Sequence, residues 1–261
     1  MKGILKSLCL MLYFLTVQII AGVAVISYKF IFDMSWVDKT YQVMNEFGMI
    51  SLEYMNCISE LLYPMLIIAD ISLILPFIIK DKLGMFRKPE AVDVVSILCL
   101  AFVCNFTVDS IIALIPASAV TDEYSSMMNI SFMGSPLMVF LCVGILAPIV
   151  EELIFRYGIF KALKDKSDNY KIFVSALLFG VAHMNLIQGT FAFVLGLVLG
   201  KLYTKEKNLT HSLIFHLGVN MSSVLYEYAS YDIRAVMLFG VSLSSVFLIF
   251  KLSKIYKASL A

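Results

Sequence analysis

The chain has 261 residues, 61% of them hydrophobic and only 15% charged, with a net charge of +1. A soluble domain carries about 45–50% apolar and roughly 25% charged residues, so a water-soluble globular fold is excluded and length says little about domain number. The balanced charge gives no argument for a nucleic-acid partner.

The predicted elements are membrane helices. Lys2 and Lys6 precede an apolar run reaching Tyr28. That run is longer than the apolar core of a signal peptide and lacks a convincing cleavage site, so it is expected to be a retained first span. Further apolar runs of roughly spanning length follow at 59–79, 93–118, 136–160, 171–188, 190–204, 209–228 and 233–251. The 59–79 run contains Glu60 and Asp70, and the 93–118 run contains Asp109 and Pro116. The short 171–188 and 190–204 runs are expected to form a tight hairpin turning near Gly189. The expected fold is all-α: a polytopic membrane helix bundle of about eight transmembrane helices, forming a single integral membrane domain over residues 1–261.

The connecting segments orient it. Alternate segments collect Lys2, Lys6, Lys80, Lys82, Arg87, Lys88, Lys161, Lys164, Lys166, Lys171, Lys201, Lys205, Lys207, Lys251, Lys254 and Lys257, sixteen of the twenty basic residues. The positive-inside rule then places both termini in the cytoplasm. The outside segment 29–58 carries Asp33, Asp38, Glu46 and Glu53 and has room for a short interfacial helix. The five cysteines lack metal-type spacing and read as small buried hydrophobes. Gly196 and Gly200 form a small-xxx-small pair, which predicts a helix-packing face.

One stretch breaks the apolar pattern: Ala147-Pro-Ile-Val-Glu-Glu-Leu-Ile-Phe-Arg156. Ionisable groups inside a bilayer are costly and mark functional sites by default. Glu152 and Arg156 are four apart on one helix face and can pair. Glu151 is rotated about 100° away and faces another neighbour. One carboxylate is thus neutralised and the other left free. Pro148 removes a backbone donor and predicts a local kink.

Polar residues recur at the same level downstream. Phe179 and His183 are four apart, as are His216 and Asn220. At 1.5 Å per residue, Glu151 lies ~15 Å from Lys161, His183 ~18 Å from Lys171, and His216 and Asn220 ~10 and ~17 Å from Leu209. Each pattern alone reads as interhelical glue. Three helices bringing Glu, His, His and Asn to one depth read as a buried polar site. Asp70, Asp109 and Asn105 lack an evident basic partner and either pair together or line a water-filled access path. His211 is expected to be solvated at the interface.

A free carboxylate beside a histidine can hold and deprotonate water. Glu151 would be the base, with His183 holding the same water. His216 and Asn220 would aim donors at a tetrahedral oxyanion, and Arg156 would neutralise Glu152. These parts suit amide hydrolysis. The chain has no H-E-x-x-H, G-x-S-x-G or G-x-G-D motif. Glu151, His183 and His216 could instead supply three zinc ligands with water in the fourth position. No ligand pair at helix spacing supports that, and no side-chain acceptor lies within a turn of His183, so the expectation is no metal and no cofactor.

Glu151-Glu152-x-x-x-Arg156, Phe179-x-x-x-His183 and His216-x-x-x-Asn220 occur in that order. The pattern resembles the CAAX prenyl protease and bacteriocin-processing (CPBP, Abi) family of glutamate-type intramembrane endopeptidases. The resemblance covers roughly 136–228, the catalytic helix core. Residues 1–135 contribute spans without a family signature, and 229–261 the last span and a basic tail. The resemblance implies an intramembrane endopeptidase with catalytic Glu151, His183, His216 and Asn220, supported by Glu152, Arg156 and Phe179. It implies a peptide or lipidated protein substrate and a multi-pass location in a bacterial plasma membrane. Two other classes fit the same buried network: a catalytically silent bacteriocin self-immunity or scaffolding protein, and a proton-coupled transporter. The absence of an internal repeat of the motifs counts against the transporter.

Overall fold

A bilayer offers the backbone no water, so a spanning chain must satisfy its own amides within helices. The computed structural model describes residues 2–47, 52–79, 85–133 and 135–259, and among them every regular element is helical. The helices are α1 (Lys2–Phe32), α2 (Met34–Phe47), α3 (Leu52–Ile79), α4 (Ala91–Ile112), α5 (Ala119–Phe132), α6 (Pro136–Ala162), α7 (Asp168–Ala182), α8 (Leu186–Glu206), α9 (Thr210–Tyr228) and α10 (Tyr231–Ser259). Among the described residues, α1, α4, α6, α8 and the Tyr231–Lys251 part of α10 are long and apolar enough to cross a membrane. The chain is a multi-pass integral membrane protein. Of the other three expected spans, α7 has only 15 residues, about 22 Å against the roughly 30 Å hydrocarbon core. α3 and α9 carry acidic, histidine and asparagine side chains. Lys80 and Lys82, used in the charge count, lie outside the described residues.

Several boundaries differ from the sequence reading. The expected 93–118 span ends at Ile112. Pro116 pushes the residue before it away from helical backbone, and Ser118 then starts α5, sharing a reciprocal cap with Thr121. The expected 171–188 span stops at Ala182. His183 follows its last turn, Met184 takes a left-handed φ of 53°, and Asn185 caps α8 by accepting from the amides of Ile187 and Gln188 at 3.1 and 3.0 Å. The hairpin therefore turns at 183–185 and not near Gly189. The acidic 29–58 segment, where a short helix has room, carries α2. At its start the Lys29 ammonium, with the Ser35 hydroxyl and Trp36 amide, holds the Asp33 carboxyl down at about 2.

Apolar side chains gain little by leaving lipid for one another, so close packing by small residues matters more here than buried area. α7 and α8 meet through such residues. A Cβ on Gly180 would sit 2.6 Å from the Gly189 carbonyl oxygen, and one on Gly196 would sit 2.9 Å from the Ala176 backbone. The Gly196–Gly200 face thus packs as expected. α9 lies against α4, and α1 against α3. The largest core cluster joins Met11 and Phe14 of α1, Leu73 of α3, Val150 and Phe155 of α6, Phe179 of α7 and Phe215 of α9.

α6 is not a regular helix. It is wound in the wider π form at Phe140–Leu146 and again at Glu152–Gly158. Between them sits one α turn, Ala147–Glu151, containing Pro148. The two widened segments lie one on each side of Pro148, where the sequence predicts a kink. Such segments are rare and concentrate at functional sites.

Candidate active site

The first widened segment leaves a carbonyl without an intrahelical donor. The Ala147 amide bonds back five residues to the Cys142 carbonyl. The next donor in that register would be residue 148, and proline has none. The orphaned Val143 carbonyl accepts instead from Asn220 Nδ2 of α9 at 2.9 Å. The second segment has a similar partner: the Ser175 hydroxyl of α7 donates to the Phe155 carbonyl at 2.7 Å. Irregular backbone in α6 is thus satisfied by polar side chains of its neighbours, as it must be inside a membrane. The same hydrogen bond fixes the position of Asn220.

Glu152 and Arg156 are buried, at 1% and 0% exposure. Arg156 Nε lies 3.4 Å from Glu152 Oε1, yet none of the guanidinium nitrogens has a hydrogen-bond partner among the described residues. The pair is held by charge at contact distance without the angle of a hydrogen bond. The guanidinium also stacks 4.4 Å from the centre of the Phe179 ring, an arrangement that favours arginine's planar cation. Phe155 packs edge-on against both Phe14 and Phe179, with centroids 5.7 and 5.1 Å apart. This aromatic chain ties α1 to the floor of the site.

His216 joins the two carboxylates. Its Nδ1 lies 3.1 Å from Glu152 Oε1 and its Nε2 3.3 Å from Glu151 Oε2. The sequence reading separated the two glutamates, one for Arg156 and one free; the fold connects both to the same ring. Only the Nδ1 contact has hydrogen-bond geometry, so Nδ1 donates to Glu152 while Nε2 meets the Glu151 carboxyl at contact distance.

His183 is placed differently from its expected position inside a helix. It sits at the exit of α7, where its Nδ1 faces the Phe179 carbonyl at 2.8 Å. A carbonyl only accepts, so Nδ1 carries a proton, and the tautomer that this selects has its lone pair on Nε2. The Phe179 ring lies edge-on to both histidines, with centroids 4.8 and 5.6 Å away.

All four expected catalytic residues line one cavity of about 370 Å³: Glu151, His183, His216 and Asn220. Phe179 lines it too, while Glu152 and Arg156 lie behind its wall. The cavity also takes Asp70 of α3, expected either to pair with other polar groups or to line an access path, together with Gln18 of α1, Ser131 of α5 and Gln188 of α8, which the sequence reading did not place. For Asp70 a signal existed, a carboxyl with no basic partner in an apolar run. Gln18 and Gln188 gave none beyond lone amides in apolar surroundings. α5 closes one side, tied down where the Tyr63 hydroxyl donates to the Met133 carbonyl and the Tyr228 hydroxyl to that of Phe132. Of the other expected polar groups, Asn105 accepts from the Ser223 hydroxyl at 2.9 Å. His211, expected to be solvated, is buried, with Nδ1 3.7 Å from Glu206 Oε1, because the start of α9 tucks beneath the segment at Met85 and Arg87. Among the described residues no three His, Cys, Asp or Glu side chains converge as a metal ion would require.

A carboxylate, two histidines and an amide around one cavity are a set of groups able to bind and activate water. Residues 133–222, from just before α6 into α9, match the profile of the family described as type II CAAX prenyl endopeptidase Rce1-like. The chain is also similar to YdiL of Bacillus subtilis (strain 168), named as a candidate membrane peptidase, with 31% identity over 93 residues. That match covers 35% of this chain and 38% of the relative. No solved structure matches the chain.

Proposed function

We propose that this protein is an intramembrane endopeptidase that cleaves a membrane-associated peptide or lipidated protein in a bacterial plasma membrane, without a metal. The observation that carries the reading is the convergence of Glu151, His183, His216 and Asn220 on one cavity inside the bundle. Water held between Glu151 and His183 Nε2 attacks the scissile carbonyl carbon while Glu151 takes its proton. The carbonyl oxygen becomes an oxyanion. Asn220 has a second N–H beyond the one given to Val143 and turns it to this oxygen. Once protonated, Glu151 no longer holds His216 Nε2–H by charge, and that donor becomes available to the oxyanion. Collapse breaks the C–N bond, and Glu151 returns its proton to the leaving nitrogen. Glu152 and Arg156 position His216 and do not touch substrate.

The topology proposed with this reading has eight spans and both termini in the cytoplasm, adding α3, α7 and α9 to the five long apolar helices. Single cysteines at 125 in α5 and 166 before α7, on a cysteine-free background, are expected to label from opposite sides of the membrane. Labelling from the same side would overturn it. The functional test is cleavage of candidate membrane peptides in liposomes, comparing parent and Glu151→Gln. Equal turnover by the two proteins would reject the assignment.

A further inference from the structure

Asp70 is the carboxyl group of the cavity without a role so far. It sits on α3, outside the family-matched stretch, and is 3% exposed. Its Oδ2 is buried without a hydrogen-bond partner among the described residues. Among the described residues, the cavity that Asp70 lines contains no lysine or arginine. Glu151 and Glu152 each have a basic side chain at contact distance, His216 and Arg156. A carboxylate buried without a partner is costly, and supplying an opposite charge inside an apolar wall recovers much of that cost. The cavity wall also carries two amides, Gln18 on α1 and Gln188 on α8. Their side-chain oxygens are acceptors, suited to the remaining N–H groups of an ammonium or guanidinium.

We propose that Asp70 is a specificity residue that binds a positively charged group of the substrate, a lysine or arginine side chain or a free amine, with Gln18 and Gln188 completing its hydrogen bonds. The inference rests on the peptidase reading for its meaning but not for its test. Substrate arrives with the one cation the cavity lacks, and a neutral side chain of equal length leaves Asp70 uncompensated. Selection then comes from a buried charge left unpaired in the wrong complex, which discriminates more sharply than the fit of one methylene.

The probe is n-butylammonium, with n-butanol as its neutral counterpart, read as a saturable rise in the thermal midpoint of the purified full-length protein. The parent and Glu151→Gln are expected to be stabilised by butylammonium and not by butanol. Asp70→Asn should bind the cation about tenfold more weakly or worse, and Asp70→Glu should retain part of the response. No difference between the two probes in the parent, or an undiminished response in Asp70→Asn, overturns the proposal. A response lost in Glu151→Gln but kept in Asp70→Asn overturns it too. Should Asp70→Asn not fold, the parent's preference for a lysine peptide over its norleucine twin decides, and equal binding is the overturning result. Cleavage is scored separately, so loss of the peptidase reading leaves the cation result legible.

Discussion

α6 and α10 are both apolar enough to cross a membrane, yet they do opposite things. Nearly half of the most apolar window of α6 is buried inside the protein, and none of that of α10 is. Val236, Phe239, Val246 and Ile249 of α10 are all exposed, as suits a helix whose neighbours are lipid. The other side of α10 packs along α4, where Lys251 Nζ reaches the Ser96 hydroxyl at 2.6 Å. The difference is that hydropathy places a helix in the bilayer but does not say what it faces. In α6 the informative residues are the ones that violate hydropathy: Glu151, Glu152, Arg156 and Pro148.

The contrast can be broken by substitution. Glu151→Gln keeps shape and loses the base, so turnover should fall by about 10²–10⁴-fold, with the thermal midpoint nearly unchanged. A steady-state cleavage assay beside a melting curve checks both halves. Glu152→Gln should act on stability, because it leaves Arg156 buried and one His216 contact uncharged. A loss of about 3–5 kcal/mol is expected, and parent-like unfolding would show that the guanidinium is neutralised elsewhere. Gly180→Ala forces a Cβ against the Gly189 carbonyl at 2.6 Å. It should cost about 1–3 kcal/mol by overpacking and should disturb His183, three residues on, in the activity assay. Val246→Ala on α10 should stay within about 0.5 kcal/mol. A large effect there would mean that the lipid-facing surface of α10 is covered by protein.

Much of the site was legible because its members are polar in apolar surroundings and fall at one depth. Glu151, His183, His216 and Asn220 could be grouped on that ground alone, and they share one cavity. What escaped has physical causes. The expectation that the two glutamates serve different partners assumed 3.6 residues per turn, and α6 is wound wider immediately after Glu151. The break after Ala182 was hidden because apolar residues continue through it. Asn185, a strong helix cap followed by an apolar run, was the readable sign. Asp70, Gln18 and Ser131 come from helices far away in sequence, and a lone polar residue does not announce which distant partner it will meet.

The widened turns of α6 make the site sensitive to chain length as well as to chemistry. The Phe140–Leu146 segment accommodates its residues by spreading the coil, and Asn220 holds it open at Val143. Deleting one residue from that segment would let it tighten to the ordinary α form, since a wide turn holds one residue more than an α turn, and the glutamates downstream would keep nearly their present facing. What the wide turn adds is the unpaired carbonyl at Val143 that fixes Asn220, so the spacing upstream of Pro148 bears on the site through that one hydrogen bond.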